Sequence, residues 1–178
     1  MEKEKFTIFL DFDGVLNDLT TIPKIWNFGG LLVGKNDHRV FNEESMEALN
    51  MLMDTLEHKY DVEIVLTTFW RRNLSRCYEF LTTNGIKYLK GMQSIPMFAR
   101  SSRASQVKKY LEANNREKFL ILDDSFSAGN FIKEENIIET NIVNGALSIS
   151  SVINYIDTFQ KDLSPFVPIK NIDFERGN

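Results

Sequence analysis

Hydrophobic residues along this chain fall into two kinds of segment. Short, nearly continuous apolar runs cover residues 6–10, 62–66 and 119–122, and they are rich in the β-branched and aromatic side chains that favour strands. Weaker runs of the same kind cover residues 86–89 and 136–138. Between the runs, apolar residues recur every three or four positions, as they do on one face of an amphipathic helix. The pattern therefore predicts strands that alternate with helices.

Four amphipathic helices are predicted. The first begins at the N-cap residue Asn42 and ends near Lys59. The second ends at 84–85, the third closes at 114–115, and the fourth begins at Ser148. Positions at helical spacing are expected to be buried: Met46, Leu49, Leu52, Met53 and Leu56; Leu74, Tyr78 and Leu81; Ala104, Val107, Tyr110 and Leu111; Ile149, Val152, Ile153 and Ile156.

This alternation predicts an α/β fold. Strands separated by amphipathic helices form a parallel sheet that is covered on both faces. Right-handed crossovers make it a three-layer, Rossmann-like, doubly wound sheet. The intervals between the strong strands hold one helix and ordinary connections, which leaves little or no room for a cap domain. In such sheets ligands bind beyond the carboxyl ends of the strands.

Two segments do not follow the alternation. Residues 17–42 contain Trp26, several glycines and a proline without clear periodicity. They are expected to form either a flap over a neighbouring site or a small hairpin anchored by that tryptophan. Residues 163–178 are predicted to form a C-terminal arm. The remainder, residues 1–162, is long enough for a single domain with its own core.

Charge and cysteine content narrow the possible classes of function. A net charge of −4 gives no overall basic field for nucleic acid, although a local basic patch is compatible with it. The single cysteine, Cys77, cannot form an internal disulfide and is expected in the core of a protein from a reducing compartment. The charged N-terminus and the lack of a long apolar run predict neither a signal peptide nor a membrane span. We therefore expect a cytoplasmic protein with no obligate protein partner evident.

The first apolar run ends in two aspartates and a glycine. Asp11 and Asp13 are two positions apart, so a strand that continued through them would place both carboxylates on one side. Two carboxylates that close repel each other unless a cation lies between them or one is protonated. The alternative is that both aspartates form a turn before Gly14.

Polar residues also follow the other two strong runs. Thr67 and Thr68 follow the second, and Asp123 and Asp124 follow the third. Because the carboxyl ends of parallel strands meet at one edge, four carboxylates and a hydroxyl are expected to converge there. An acidic crevice of this kind suits Mg²⁺, which commonly takes one or two carboxylates together with substrate phosphate. No GxGxxG or GxxxxGK[ST] loop is present, which disfavours a dinucleotide-binding domain or a P-loop enzyme.

Taken in order, these segments resemble the haloacid dehalogenase (HAD) superfamily, specifically its aspartate-nucleophile phosphatases. Residues 11–16, DFDGVL, look like the first motif of that superfamily. Residues 64–67 look like the second motif and residues 120–124 like the fourth. Within the superfamily the chain is most similar to small capless members, which include the phosphatase domains associated with nucleic-acid end repair. The resemblance covers residues 6–160 and agrees with the predicted α/β fold.

The resemblance implies a role for each acidic residue. Asp11 would be the nucleophile that forms an aspartyl-phosphate. Asp13 would protonate the leaving alkoxide and later take a proton from the attacking water. Asp11, the carbonyl of Asp13 and Asp123 would hold Mg²⁺, and Asp124 would assist as a further ligand or by orienting the others.

Other assignments keep alternatives open. Thr67 is implied to donate a hydrogen bond to the transferred phosphoryl group, with Thr68 as the competing choice. A lysine or arginine must also offset the phosphate charge. This third-motif residue has four candidates, of which the first two are better placed: Arg103, Lys108, Arg100 and Lys109. For each of them the alternative is a solvated helix face.

Candidate substrate-binding residues lie next to the first two motifs. They are Gly14, Thr68, Trp70 and Arg71, and the last two are expected near the mouth of the site. An aromatic ring beside arginines can stack on a base and hold a phosphate. The alternative is that Trp70 belongs to the core and the arginines are solvated. An uncapped site admits a phosphorylated small molecule as well as a polynucleotide end or a phosphoprotein.

Two other classes of protein share parts of this pattern. Receiver domains of response regulators also gather aspartates, a threonine and a lysine at strand ends, but there the acidic pair and the phosphorylated aspartate lie on different strands. A phosphate-binding module without turnover could keep the same fold. In this chain every expected acidic position is filled, which favours a Mg²⁺-dependent hydrolase of phosphate monoesters.

Overall fold

The computed structural model describes most of the chain between residues 3 and 159. The described residues are 3–19, 41–96, 101–128, 132–143 and 146–159. Residues 20–40 of the predicted flap and the whole predicted C-terminal arm lie outside them. None of the described helices is both long enough and apolar enough to cross a bilayer.

A parallel sheet forms the centre of the molecule. Its strands are β1 (Lys5–Leu10), β2 (Asp61–Leu66), β3 (Gln93–Ser94), β4 (Lys118–Asp123) and β5 (Ile137–Glu139). Their order is β3-β2-β1-β4-β5, so β1 lies in the middle. Leu10 at the end of β1 is paired with Leu66 of β2 and Leu122 of β4, which brings three strand ends side by side.

Helices cover both faces of the sheet. They are α1 (Glu43–Glu57), α2 (Leu74–Thr83), α3 (Arg103–Asn114) and α4 (Ile149–Phe159), with short 3-10 helices at Phe69–Arg72 and Glu134–Asn136. Because side chains alternate along a strand, Ile8 and Leu10 face a core that α1, α2 and α4 complete. Phe9 and Ile121 face the opposite core, to which α3 contributes. The predicted doubly wound α/β fold is therefore confirmed.

Local sequence signals explain where the helices begin. The Asn42 side chain accepts a hydrogen bond from the Ser45 amide at 3.3 Å, as predicted for an N-cap. Asn73 and Ser102 cap α2 and α3 in the same way, through the amides of Arg76 and Ser105. These caps fix the starting points of the three helices that follow β1, β2 and β3 in the chain.

Three details of the predicted pattern are wrong. Residues 86–89 form no strand; the edge strand is β3, and the apolar side chains of Ile86 and Leu89 are buried without joining the sheet. On α2, Tyr78 is half exposed, while Cys77 and Leu81 are buried. On α4, Ile153 is exposed and Tyr155 is buried instead. On both helices the residue type favoured burial, but the rotation of the helix placed a neighbour inward.

Candidate active site

The polar residues that follow three strands meet at one edge of the sheet. Asp11 follows β1, Thr67 follows β2, and Asp123 is the last residue of β4. Backbone hydrogen bonds continue the pairing past the strand ends: the Asp11 amide donates to the Leu122 carbonyl at 3.0 Å and the Thr67 amide to the Leu10 carbonyl at 2.9 Å. Their side chains are therefore held by the rigid sheet.

Three of the four predicted carboxylates form a compact cluster. Asp11, Asp123 and Asp124 each present an oxygen, and these oxygens all lie within 4.8 Å of one another. Asp11 and Asp123 are buried, whereas Asp124 is half-buried. Three hard oxygen donors at this spacing, with one side open to solvent, fit a divalent cation such as Mg²⁺.

Arg103 is the basic residue that reaches this cluster. It is the first residue of α3, and its Nη1 donates to Asp11 Oδ2 at 2.6 Å and also to Asp123 Oδ2. Lys108 is not brought to the cluster, because its side chain is half exposed and pairs with Glu112 at 3.8 Å. Lys109 is exposed on the same helix, and Arg100 lies outside the described residues.

The cluster contains more acidic than basic groups. The pKa of Asp11 is raised to about 6: burial is the main cause and the nearby Asp123 adds to it, while Arg103 and a hydrogen bond from Thr68 partly offset the rise. Burial also raises the pKa of Asp124. One guanidinium thus faces three carboxylates. A bound divalent cation would balance the remaining charge and favour the ionised form of Asp11.

Asp13 is oriented by two donors from different parts of the chain. Its Oδ1 accepts a hydrogen bond from Asn17 Nδ2 at 3.0 Å, and its Oδ2 accepts one from the indole Nε1 of Trp70 at 3.1 Å. It is separate from the cluster of Asp11, Asp123 and Asp124. The sequence prediction did not include Asn17; its only signal was an amide four residues after Asp13.

Gly14 allows the close approach of two loops. Its φ is 81°, in the left-handed region, and a Cβ at this position would lie 2.5 Å from the side chain of Asp124. Its carbonyl accepts a hydrogen bond from the hydroxyl of Thr140 at 2.7 Å. Gly14 therefore makes room for Asp124, a role distinct from the substrate contact expected from the sequence.

The two threonines after β2 differ in their hydrogen bonding. Both side chains are buried. The Thr68 hydroxyl interacts with Asp11 and accepts a hydrogen bond from the Trp70 amide at 3.3 Å. The Thr67 hydroxyl has no hydrogen-bond partner in the described part of the chain. A buried hydroxyl without a partner is costly, and a ligand oxygen would remove that cost.

Trp70 and Arg71 both turn toward the protein. The Trp70 ring packs against Phe12, Phe41 and Phe80, with centroid distances of 5.8, 6.4 and 5.7 Å. Trp70 thus belongs to the core, while its indole N–H reaches Asp13. The packing of Trp70 agrees with the core alternative, and its contact with Asp13 was in neither alternative.

Arg71 joins three segments around the site. Its Nε donates to the Ile95 carbonyl at 2.9 Å, its Nη1 donates to the carbonyls of Thr67 and Thr68, and its Nη2 donates to Gln106 at 3.2 Å. Most of its donors are therefore used within the protein. Its guanidinium fixes the backbone of the two threonines, and no sequence signal identified Gln106 as a partner.

Comparison with known proteins adds a family to this geometry. The family model described as the HAD domain in Swiss Army Knife RNA repair proteins matches residues 7–148. The match runs from within β1 to beyond β5 and includes all the acidic residues of the site. No curated protein and no solved structure matches the chain significantly.

Proposed function

Because this chain belongs to the family of HAD domains found in Swiss Army Knife RNA repair proteins, we propose that it is a Mg²⁺-dependent phosphatase. It hydrolyses a phosphate monoester, and its substrate is the phosphate at the end of a nucleic acid. The observation that carries this proposal is the cluster in which Arg103 bridges Asp11 and Asp123 beside Asp124.

The first half of the reaction is assigned to the two aspartates after β1. An oxygen of the Asp11 carboxylate attacks phosphorus, and the bond from phosphorus to the leaving oxygen breaks. Asp13 gives a proton to that leaving oxygen. The hydrogen bonds from Asn17 and Trp70 hold the Asp13 carboxyl in one orientation while it does so.

The second half regenerates the enzyme. Water attacks the phosphorus of the aspartyl-phosphate, Asp13 takes a proton from that water, and the bond from phosphorus to Asp11 breaks. Arg103 and the hydroxyl of Thr67, which has no hydrogen-bond partner among the described residues, stabilise the negative phosphoryl oxygens. Mg²⁺, held by Asp11, Asp123 and Asp124 with the Asp13 carbonyl, would supply further positive charge there.

A hydrolysis assay tests the activity. Wild type and Asp11→Asn are compared on an aryl phosphate with Mg²⁺ and with a chelator. We expect wild type to release phosphate only with Mg²⁺, and Asp11→Asn to lose at least about a thousandfold in rate because it lacks the nucleophile. Equal phosphate release by both proteins would contradict the assignment of Asp11 as the nucleophile, and no release by either would favour a binding module.

A substrate panel tests the nucleic-acid assignment. It contains 3′- and 5′-phosphorylated DNA and RNA ends, free nucleotides, sugar phosphates and phosphopeptides. We expect phosphorylated nucleic-acid ends to give the highest kcat/KM. A clear preference for sugar phosphates or phosphopeptides would leave the phosphatase chemistry in place but overturn the substrate.

A further inference from the structure

The 3-10 helix Phe69–Arg72 divides its four side chains between two directions. Trp70 and Arg71 face the protein, as described above. Phe69 and Arg72 are exposed to solvent. The helix follows Thr67 and Thr68 directly, so its outer side borders the edge of the sheet at which the acidic cluster lies.

Phe69 is the more unusual of the two exposed residues. Its side chain is 60% exposed, more than that of any other described aromatic residue. An exposed phenylalanine forgoes most of the free energy of burial, so the ring gains little from the fold itself. Single exposed apolar side chains are common on protein surfaces, so the exposure of Phe69 gains meaning only from its position beside the acidic site and from its cationic neighbour.

Arg72 gives this ring a cationic neighbour. Its guanidinium carbon lies 4.2 Å from the centroid of the Phe69 ring. Within the described part of the chain, no carboxylate pairs with Arg72, so its charge and its donors stay available to a ligand. An aromatic face together with a cation is the combination that binds a base and its phosphate.

The 3-10 helix that carries Phe69 and Arg72 is firmly anchored to the rest of the protein. Arg71 ties the helix to the carbonyls of Thr67 and Thr68, and Trp70 anchors it in the aromatic core. Phe69 is one residue, about 3.8 Å along the backbone, from Thr68, whose hydroxyl interacts with Asp11. Phe69 therefore begins the helix at the edge of the sheet that carries Asp11, and a ligand bound on its ring would border the acidic cluster.

We propose that Phe69 and Arg72 form a stacking platform for a nucleobase of the phosphate-bearing nucleic-acid end. The base lies against the Phe69 ring, and Arg72 holds a phosphate of the adjoining backbone. The proposal rests on the phosphatase function given above. It adds a binding site outside the acidic cluster and makes the site selective for nucleotides over other phosphate esters.

Matched substrates separate stacking from phosphate binding. Two short single-stranded RNAs carry the same terminal phosphate, but in one the two terminal nucleotides are abasic. The variants are Phe69→Ala and, as a control, Tyr78→Ala; Tyr78 is an aromatic residue on α2 that is 50% exposed.

Because one base stack contributes about 1–3 kcal/mol, we expect Phe69→Ala to lower the preference for the base-bearing RNA about tenfold. Tyr78→Ala should keep the wild-type preference. Equal losses on both RNAs, or the same loss in both variants, would overturn the proposal.

A binding measurement distinguishes this proposal from the phosphatase proposal. Asp11→Asn with Mg²⁺ is titrated with the two RNAs, each fluorescently labelled at the far end, so that no turnover is needed. We expect tighter binding of the base-bearing RNA, reduced about tenfold by adding Phe69→Ala and reduced also by Arg72→Gln. If the base-bearing RNA binds more tightly and both substitutions weaken that binding, while wild type releases no phosphate, only the phosphatase proposal fails. If wild type is active but the two RNAs bind equally, only the platform fails.

Discussion

At the scale of single residues, the arrangement around Asp13 has the clearest chemical consequence. A carboxylic acid that protonates a leaving group must present its proton along one direction. Two donors, from Asn17 and Trp70, fix the orientation of this carboxyl. In the proposed mechanism, Trp70 is therefore a positioning residue for the acid.

Replacing Trp70 by phenylalanine removes the indole N–H but keeps an aromatic ring. We expect kcat/KM to fall about tenfold for alkyl phosphates, whose leaving groups need a proton, and much less for aryl phosphates with good leaving groups. A series of esters with leaving groups of different pKa measures the difference. Adding Trp70→Phe to Asp13→Asn should cause no further selective loss. An equal loss for all leaving groups would indicate only a packing role.

Gly14 provides a steric test of the acidic cluster. In Gly14→Ala the new Cβ would lie 2.5 Å from Asp124, and the left-handed φ of 81° would add strain. We expect the loop to shift, Asp124 to move, and the affinity for Mg²⁺ to fall about tenfold or more. Calorimetric titration with Mg²⁺ measures this. Wild-type affinity in Gly14→Ala would show that Asp124 is not needed for the metal.

The ionised carboxylate of Asp11 should lower the free energy of unfolding when no metal is bound. Its pKa in the folded protein is raised to about 6 from 3.8, chiefly by burial, and this difference corresponds to about 3 kcal/mol. Below 3.8 the carboxyl is protonated in both states; as pH rises toward 6 only the unfolded chain ionises, so wild-type stability falls. With a chelator, Asp11→Asn should therefore be the more stable protein, by a margin that grows with pH and is constant above 6.

Urea unfolding of both proteins at about pH 5 and about pH 8 measures this margin. A margin that is the same at both pH values would show that ionisation of Asp11 does not cause it.

The residues of the site differ in how far the sequence could identify them. Asp11, Asp123 and Asp124 could be predicted to lie together because each follows a strongly apolar strand, and parallel strands share an edge. Arg103 could be predicted only as one of several basic residues, since the rotation of α3 decides which one reaches the cluster. Asn17 could not be predicted, because its contact depends on the loop conformation after β1.

At the scale of elements, the long apolar runs were a better guide than the short ones. The runs that became β1, β2 and β4 were identified within one residue of their observed ends. The short edge strand β3 was not found, because two residues carry no periodic signal and its partner β2 supplies the pairing. Edge strands are defined by the neighbouring strand more than by their own sequence.

One ion pair links β2 to the segment before β4. Glu63 is buried and accepts hydrogen bonds from Arg116 Nε at 2.8 Å and from the hydroxyl of Thr7 at 2.8 Å. Burial alone would raise the pKa of Glu63, but these hydrogen bonds outweigh it and lower the pKa below 4.5. The pair therefore stabilises the sheet above that pH and loses its contribution as the pH falls through the lowered value.

Removal of one partner of this pair should be destabilising. We expect Glu63→Ala to lower the free energy of unfolding by about 3 kcal/mol near neutral pH, because Arg116 loses its partner. Chemical denaturation measures the loss, which should shrink in acid. The double variant Glu63→Ala with Arg116→Ala should lose less than the sum of the two single variants. Simple additivity would show that the two side chains are not coupled.

At the scale of the whole molecule, the site joins distant parts of the chain. The segment after β1 and the end of β4 both contribute carboxylates that are close in space but over a hundred residues apart in sequence. A cation bound between them would link the two loops in the folded state only. Metal binding and global stability should therefore be coupled.

Addition of Mg²⁺ should raise the midpoint of thermal unfolding. At a hundredfold excess over Kd the folded state gains about 2.7 kcal/mol, and a chelator should reverse the gain. We expect Asp123→Asn to abolish the shift and Asp13→Asn to keep it, because the side chain of Asp13 is separate from the cluster. Differential scanning fluorimetry measures the midpoint of thermal unfolding of wild type, Asp123→Asn and Asp13→Asn, with and without Mg²⁺. Loss of the shift in Asp13→Asn would assign its carboxylate to the metal.

The only cysteine of the chain has a practical consequence. Cys77 is buried, its thiol donates to the carbonyl of Trp70 at 3.3 Å, and burial raises its pKa to about 11. An alkylating reagent can reach this sulfur only when α2 separates transiently from its neighbours. The rate at which the unaltered protein is labelled, followed by mass spectrometry, therefore reports how often α2 separates from the 3-10 helix that carries Trp70. Any ligand that stabilises the contact between these two helices must slow the labelling.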